Sequence, residues 1–262
     1  MEPEQLVMPG VTIPPDAEPT HRPIAPRTGA DRDEIEVDGV TIAADRYYTD
    51  PAVALACVRT LGLPAIEAAS DGQIIVLDPH VGGGSLIQAA RAVATSPLCI
   101  GLDIDPAAPG FVDCDQHEVT DWRAYALTEP VDVIVANPPF HGFDDHLSLI
   151  IDAVTSGRAQ VAGVLLPESA LSAPRFADVT GGEGRAPAEV HHIVGRIRFH
   201  GPGMVASTER RRIRLRAKLG REPTAAELRS SPPTGHVWVV WRYGHAGPCV
   251  TRWLRLPVED RR

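Results

Sequence analysis

The chain has 262 residues, of which 44% are hydrophobic and 23% charged, values usual for a soluble globular protein with one sizeable core. No apolar run is long enough to span a bilayer, and the acidic, proline-rich N-terminus is unlike a signal peptide, so we expect a cytoplasmic protein without a membrane partner. A net charge of −9 excludes a protein that coats nucleic acid through bulk charge, although a local basic patch remains compatible with it.

The first segment, residues 1–34, is predicted to be disordered or extended over the surface. It contains seven prolines among acidic and small polar residues. Such a composition buries too little apolar surface to offset the entropy lost on ordering. The folded domain is therefore predicted to span residues 35–262.

From residue 47 onward, strand patterns alternate with helix patterns. Short continuous apolar runs predict strands at 74–77, 98–102, 131–136 and 161–166, with a weaker strand at 118–119 and late strands at 190–199 and 236–243. Helices are predicted over 51–63, 86–94 and 147–154. This alternation predicts a single α/β domain built on a doubly wound, mostly parallel sheet, in which ligands bind at the carboxyl ends of the strands.

Two features at that edge indicate a ligand site. A glycine-rich turn, led by Asp78-Pro79 and containing Gly82 and Gly84, follows the first strand. It differs from the dinucleotide fingerprint, and the carboxylate of Asp78 suits a cationic or amino-bearing ligand better than a pyrophosphate. Asp103 ends the next strand, where a carboxylate can accept both hydroxyls of a ribose, with Asp105 as a second candidate. Alone, either feature is also compatible with a structural turn or a solvated strand end.

The third feature is the sequence Asn137-Pro138-Pro139-Phe140, which directly follows a buried strand. Two successive prolines fix the backbone and remove two N–H donors, so the carbonyl of Pro138 is held as an acceptor. The side-chain oxygen of Asn137 is a second acceptor, and two acceptors can grip an amino group. Phe140 offers a stacking surface for a planar base.

These motifs resemble those of the class I S-adenosylmethionine-dependent methyltransferases, a Rossmann-like fold, and within them the N6-adenine DNA methyltransferases with Asn-Pro-Pro-aromatic. The resemblance covers about residues 47–253 and implies S-adenosyl-L-methionine as cofactor and DNA as substrate. It implies catalytic roles for Asn137, Pro138, Pro139 and Phe140.

The resemblance also implies which residues bind the cofactor: Tyr47, Tyr48, Thr49, Asp78, Pro79, Gly82, Gly84, Asp103 and Asp121. The tyrosines and the glycine turn correspond to motifs that contact the methionine part, and Asp103 to the acid that binds the ribose. Members of the family usually have a third acidic residue, after the third strand, that binds near the adenine of the cofactor. Asp121 fits this position better than Asp115 does. His80 departs from the usual Cys or Phe, and the large target-recognition domain of longer family members is missing.

A basic segment interrupts the late strands at about 200–235. It carries seven Arg or Lys residues within 210–221 and predicts two short helices joined at Gly220, the second begun by Thr224 with Glu227 as a capping box. A solvated helix face would explain such a segment, and so would an element that contacts phosphates. We take the second interpretation, with Arg211, Arg212 and Arg216 as the substrate-binding residues.

Three alternatives to an adenine-N6 DNA methyltransferase stay open. The same chemistry could act on adenine in RNA or on a glutamine amide in a protein, although residues 1–46 are too short and proline-rich for the helical domain that glutamine enzymes usually carry. The third alternative is a non-catalytic nucleic-acid-binding relic of the fold. The cysteines and histidines have no metal-ligand spacing, so no metal is expected, and the sequence does not give the oligomeric state.

Overall fold

The computed structural model describes residues 47–139, 142–195, 197, 199–228 and 235–256, together with the backbone of 34–37 and 40–43. The described strands are β1 (Glu34–Val37), β2 (Val40–Ala43), β3 (Tyr48–Thr49), β4 (Ile74–Asp78), β5 (Pro97–Asp103), β6 (Gln116–Val119), β7 (Val131–Ala136), β8 (Ala159–Pro167), β9 (Glu189–Val194), β10 (Phe199–His200), β11 (His236–Arg242) and β12 (Val250–Arg255). The described helices are α1 (Pro51–Arg59), α2 (Leu63–Ala69), α3 (Ser85–Val93), α4 (Phe143–Thr155), α5 (Pro174–Thr180), α6 (Pro202–Leu219) and α7 (Ala225–Leu228). The segment 1–34, predicted to be disordered, lies outside the described residues except for Glu34.

The central sheet has eight strands in the order β12-β9-β11-β8-β7-β4-β5-β6. Strands β4 to β8 in it are mutually parallel, whereas β11 runs antiparallel to both β8 and β9. The predicted doubly wound, mostly parallel sheet is confirmed. The chain winds outward in one direction through β4, β5 and β6 and in the other through β7 and β8. The switch point at which ligands bind in such sheets therefore lies between β4 and β7.

Apolar side chains cover both faces of this sheet. One layer joins α1 and α3 to the sheet through residues such as Cys57 and Ile87, and the other joins α4 through Leu147 and Ile150. Trp238 lies in the first layer and Trp241 in the second, as their spacing on a strand predicts. The two layers bury β4, β5 and β7 on both faces, and the carboxyl ends of these strands lie at the edge of this core.

Several predicted boundaries were wrong, for local reasons. The helix predicted over 51–63 ends at Arg59, because Gly62 adopts a left-handed conformation (φ 79°) and a second helix begins after it. Helix α3 begins at Ser85, one residue before the predicted start, and ends at Val93, one residue before the predicted end. The strand predicted over 190–199 breaks at Gly195 (φ 104°), and its last part pairs elsewhere. Strand β12 and helix α5 were not predicted.

The basic segment forms a helical hairpin joined at Gly220 as predicted, but its first helix is not short, since it spans 18 residues. Helix α6 ends at Gly220 in the left-handed conformation (φ 67°). The capping box is present, since Glu227 Oε2 accepts from the Thr224 backbone N–H at 2.8 Å and Thr224 Oγ1 accepts from the Glu227 N–H at 3.3 Å. Among the described residues no single helix is long and apolar enough to cross a membrane, and α1 with α2, bent by 51°, meets that criterion only as a pair.

Candidate functional site

Three polar residues meet where neighbouring strands end. Asp78 is the last residue of β4, Asp103 is the last of β5, and Asn137 follows β7. Because these strands are adjacent and parallel, their carboxyl ends share one edge. The fold thus brings together the three features that the sequence placed far apart.

The side chain of Asn137 is held in one orientation by the segment around β3. Its Nδ2 donates to the carbonyl oxygen of Tyr47 at 3.1 Å and to Oγ1 of Thr49 at 3.2 Å. A carbonyl oxygen only accepts, so the amide nitrogen must face Tyr47 and the amide oxygen must point away from it. The oxygen is therefore the atom that Asn137 presents to a ligand. Pro138 is buried, and Phe140 lies outside the described residues.

A small open cleft lies beside this amide. Its lining comprises Tyr47, Tyr48, Thr49, Asp78, His80, Val81, Gly82, Gly83, Ser85, Leu86 and Asn137. The lining therefore combines the segment before α1, the glycine turn and Asn137. Pro79, Gly84, Asp103 and Asp121, which the sequence also predicted to bind the cofactor, are not part of this lining.

The glycine turn is shaped by close packing as well as by its own conformation. Gly82 has a positive φ of 48°, and a Cβ added to Gly83 would lie 2.9 Å from Cγ of Tyr48. Gly84 has a φ of 78°, and its Cβ would lie 2.8 Å from Cα of Gly110. The turn therefore needs glycine for backbone conformation and for the close approach of neighbouring groups.

Asp103 connects the end of β5 to the glycine turn. Its Oδ2 accepts from the Gly82 backbone N–H and its Oδ1 from the Asp105 N–H, both at 2.9 Å. A carboxylate has about four lone-pair sites, so each oxygen retains capacity for one further donor. Asp103 can thus fix the turn and accept two hydroxyl groups at once.

The two candidates for a third acid lie at opposite ends of β6. Asp121 comes two residues after the strand, at the same edge as Asp103, and Arg123 Nη2 lies 2.6 Å from its Oδ2. Burial alone would raise the pKa of Asp121, but hydrogen bonds from Arg123 outweigh it and the pKa is lowered. Asp115 precedes the strand and accepts from the Cys99 N–H at 2.8 Å. Asp121 therefore shares the edge of Asp103, whereas Asp115 lies at the other end of the strand.

A pair of histidines beside the cleft was not predicted as part of the site. His80 Nε2 lies 2.8 Å from His146 Nδ1, and the two rings meet edge to face. Burial lowers the pKa of His146 to about 4 and that of His80 well below its usual value, so both rings are neutral near pH 7 and one donates to the other. No sequence signal links residues 66 positions apart. Among the described residues, no group of three or more His, Cys, Asp or Glu side chains is arranged to hold a metal ion.

Asp78 is the most strongly buried acid of the site. It is 1% exposed, and burial raises its pKa to about 8, even though its Oδ1 accepts from the His80 backbone N–H at 3.0 Å. A second contribution that raises the pKa comes from the negative charge of Asp103. A buried carboxyl of this kind favours a cationic group beside it, because such a group offsets the cost of ionisation.

Replacement of Asp78 by asparagine should change how stability depends on pH. A folded-state pKa near 8, above the unfolded value near 4, means that the wild-type protein loses stability as pH rises between these values, by at most about 1.4 kcal/mol per pH unit. Asp78→Asn lacks this loss. Urea unfolding of both proteins at pH 5, 6.5 and 8 measures the free energy of unfolding. The value for the variant minus that for the wild type should increase with pH, and a constant difference would contradict the raised pKa.

Comparison with solved structures identifies the fold. A structure from Listeria monocytogenes described as a "putative class I S-adenosylmethionine-dependent methyltransferase" matches with a TM-score of 0.52 and 13% identity, covering 82% of this chain and 67% of that one. A "putative RNA methyltransferase" from Pyrococcus horikoshii matches with a TM-score of 0.49 and 13% identity, covering 76% and 88%. No protein-family model and no curated protein matches the sequence. The chain therefore has the class I methyltransferase fold.

Proposed function

We propose that this chain is an S-adenosylmethionine-dependent methyltransferase that methylates the N6 amine of adenine in DNA. The observation that carries the proposal is the orientation of Asn137. Its amide nitrogen is bound by Tyr47 and Thr49 in the wall of the cleft, so its amide oxygen is available to an incoming donor. An adenine amine is such a donor, and it is the group that the Asn-Pro-Pro-Phe motif is proposed to grip.

The residues present fit the proposed cofactor. The cleft lined by Tyr48, the glycine turn and Asn137 would hold its methionine part, with the buried carboxyl of Asp78 beside the cationic groups of the cofactor. Asp103 retains two acceptor sites for the ribose hydroxyls. Asp121 lies at the same edge for the adenine. S-adenosylmethionine, when bound there, supplies an electrophilic methyl group.

The protein's own part in the reaction is mainly positioning. The Asn137 oxygen and the Pro138 carbonyl accept from the two N–H groups of the substrate amine, which directs the nitrogen lone pair toward the methyl donor. Both acceptors also stabilise the positive charge that develops on the amine as the new bond forms. Phe140 is proposed to stack on the adenine after it leaves the duplex. No covalent bond to the protein is needed.

DNA is proposed as the substrate because the basic hairpin begins beside the cleft. Strand β10, immediately before α6, pairs with β3, whose residues Tyr48 and Thr49 line the cleft. A hairpin fixed in this way can hold a polyanion while one of its bases enters the site. Such an element would not help to bind a protein whose glutamine amide is the substrate, but it would help to bind RNA. An experiment must therefore distinguish DNA from RNA as the substrate.

Transfer of label from methyl-labelled S-adenosylmethionine tests the proposal. The wild-type protein is incubated with duplex DNA, single-stranded DNA, RNA or a glutamine-containing peptide of neutral charge, with Asn137→Ala as the matched control. We expect label in DNA from the wild type and background from the variant. Label confined to RNA or to the peptide would contradict the DNA assignment. Cofactor binding without transfer to any of the four would indicate a non-catalytic relic of the fold.

A further inference from the structure

The acids of the hairpin neutralise part of its basic surface. Arg212 Nη1 lies 3.1 Å from Glu209 Oε2 and Arg212 Nε lies 3.2 Å from Glu222 Oε1. Glu222 also lies 3.8 Å from Arg216, and Arg221 Nη2 lies 2.8 Å from Glu227 Oε1. These four arginine–glutamate pairs stabilise the hairpin itself, so their charge is less available to a ligand.

Arg211 has a structural role as well. Its Nε donates to the Glu227 backbone carbonyl at 3.0 Å, and its side chain is partly buried between α6 and α7. The three arginines that the sequence analysis selected, Arg211, Arg212 and Arg216, are therefore all engaged within the hairpin.

The remaining cations of α6 form a separate row, the exposed stripe Arg210, Arg214 and Lys218. A spacing of four places them on one face of the helix. All three are exposed, and within the described part of the chain none of them forms an ion pair with an acid. With a rise of 1.5 Å per residue the stripe spans about 12 Å, a length over which one DNA strand presents three to four phosphates.

We propose that the exposed stripe Arg210, Arg214 and Lys218, and not the paired arginines, contacts the phosphate backbone of the DNA substrate. This inference rests on the proposed function, because it assigns the surface that holds the polymer whose base enters the cleft. Charge complementarity selects the occupant. The whole chain carries a charge of −9, so a polyanion is repelled by most of its surface and attracted by a row of cations that form no ion pair within the described part of the chain.

The position of α6 supports the same occupant. The pairs Phe199 with Thr49 and His200 with Tyr48 join β10 to the wall of the cleft, and His200 Nε2 lies 3.1 Å from Asp50 Oδ2. Helix α6 begins at Pro202, directly after this connection. The stripe is therefore carried by a helix that begins beside the cleft, which suits a polymer whose base enters the site.

Two triple variants with the same change of charge test the inference. The stripe variant is Arg210→Ala, Arg214→Ala and Lys218→Ala, and the matched control is Arg211→Ala, Arg212→Ala and Arg216→Ala. Binding of the full chain to a fluorescein-labelled 20-bp duplex is measured by anisotropy between 50 and 200 mM salt. In the stripe variant, we expect the slope of log affinity against log salt concentration to decrease in magnitude by about 2.7. Affinity at 0.1 M salt should fall by roughly 10²- to 10³-fold. The control should lose less than about tenfold, since Arg212 and Arg216 are paired with glutamates and Arg211 is bonded to the Glu227 backbone carbonyl.

Thermal unfolding and cofactor affinity show whether the variants are folded; alanine in an exposed helix position preserves the helix. Equal losses in both variants would overturn the stripe assignment, because net charge alone would then explain binding. An unchanged salt slope in the stripe variant, with methylation of DNA retained, would also overturn the stripe assignment. That result would leave the proposed function intact. Stripe-dependent binding to phosphatidylserine vesicles in place of the duplex would also overturn it. If the wild type neither binds DNA nor transfers label to it, the proposed function fails together with the stripe.

Discussion

Replacement of Asn137 by alanine is expected to lower kcat by about 10²-fold or more, the size of effect seen when a preorganised group facing developing charge is removed. In the proposed function the amide oxygen accepts from the reacting amine and not from the cofactor, so cofactor affinity should stay within about twofold. An interaction made to the reacting group affects turnover and not ground-state binding of a separate ligand. Single-turnover kinetics with labelled cofactor, together with calorimetry of cofactor binding, measure the two quantities separately.

Thr49→Val provides a control for this prediction. Valine keeps the shape of threonine but removes the Oγ1 that accepts from Asn137 Nδ2. The amide would keep its bond to the Tyr47 carbonyl, so we expect a smaller loss of kcat, which Thr49→Ser should largely restore. A loss of less than tenfold in Asn137→Ala would mean that another group orients the amine.

Replacement of Asp103 by alanine is expected to weaken S-adenosylmethionine binding by about 1.5–3 kcal/mol, or roughly 13- to 160-fold. The variant loses the two acceptor sites proposed for the ribose. It also loses the hydrogen bonds from the Gly82 and Asp105 backbone N–H groups, which hold the turn. Calorimetric titration with the cofactor measures the effect.

Asp105→Ala is the matched control for Asp103→Ala, since it removes one carboxylate from the same strand end. Its Oδ1 accepts from the Ala107 N–H at 3.0 Å, whereas Asp103 accepts from the Gly82 N–H of the glycine turn. We expect nearly wild-type cofactor affinity in this variant. Unchanged affinity in Asp103→Ala, or an equal loss in both variants, would contradict the assignment of Asp103 to the ribose.

The sheet and its functional edge could be predicted because each central strand is a continuous apolar run that ends in a polar residue. β7 matched the sequence prediction at both ends, and Asp78 and Asp103 end their strands as expected. A strand buried on both faces leaves a strong local signal. Strand β12 lies at the sheet edge and most of its residues are exposed, so it has no continuous buried apolar run of this kind.

The contacts that complete the site could not be predicted, because they join residues far apart in sequence. Asn137 meets Thr49 across 88 positions, and His80 meets His146 across 66. For the same reason, the sequence could not show which arginines of the hairpin are free to contact phosphates. Composition identified the basic segment, but only the positions of Glu209, Glu222 and Glu227 separate paired arginines from the exposed stripe.

Mass spectrometry of the nucleosides released from DNA, after incubation with S-adenosylmethionine carrying a deuterated methyl group, tests the proposed chemistry most directly. The expected product is deoxyadenosine with the labelled methyl group on N6, formed by the wild type and absent with Asn137→Ala. Labelled deoxycytidine, whether methylated at C5 or at N4, or cofactor turnover without any labelled nucleoside, would contradict an adenine-N6 methyltransferase that acts on DNA.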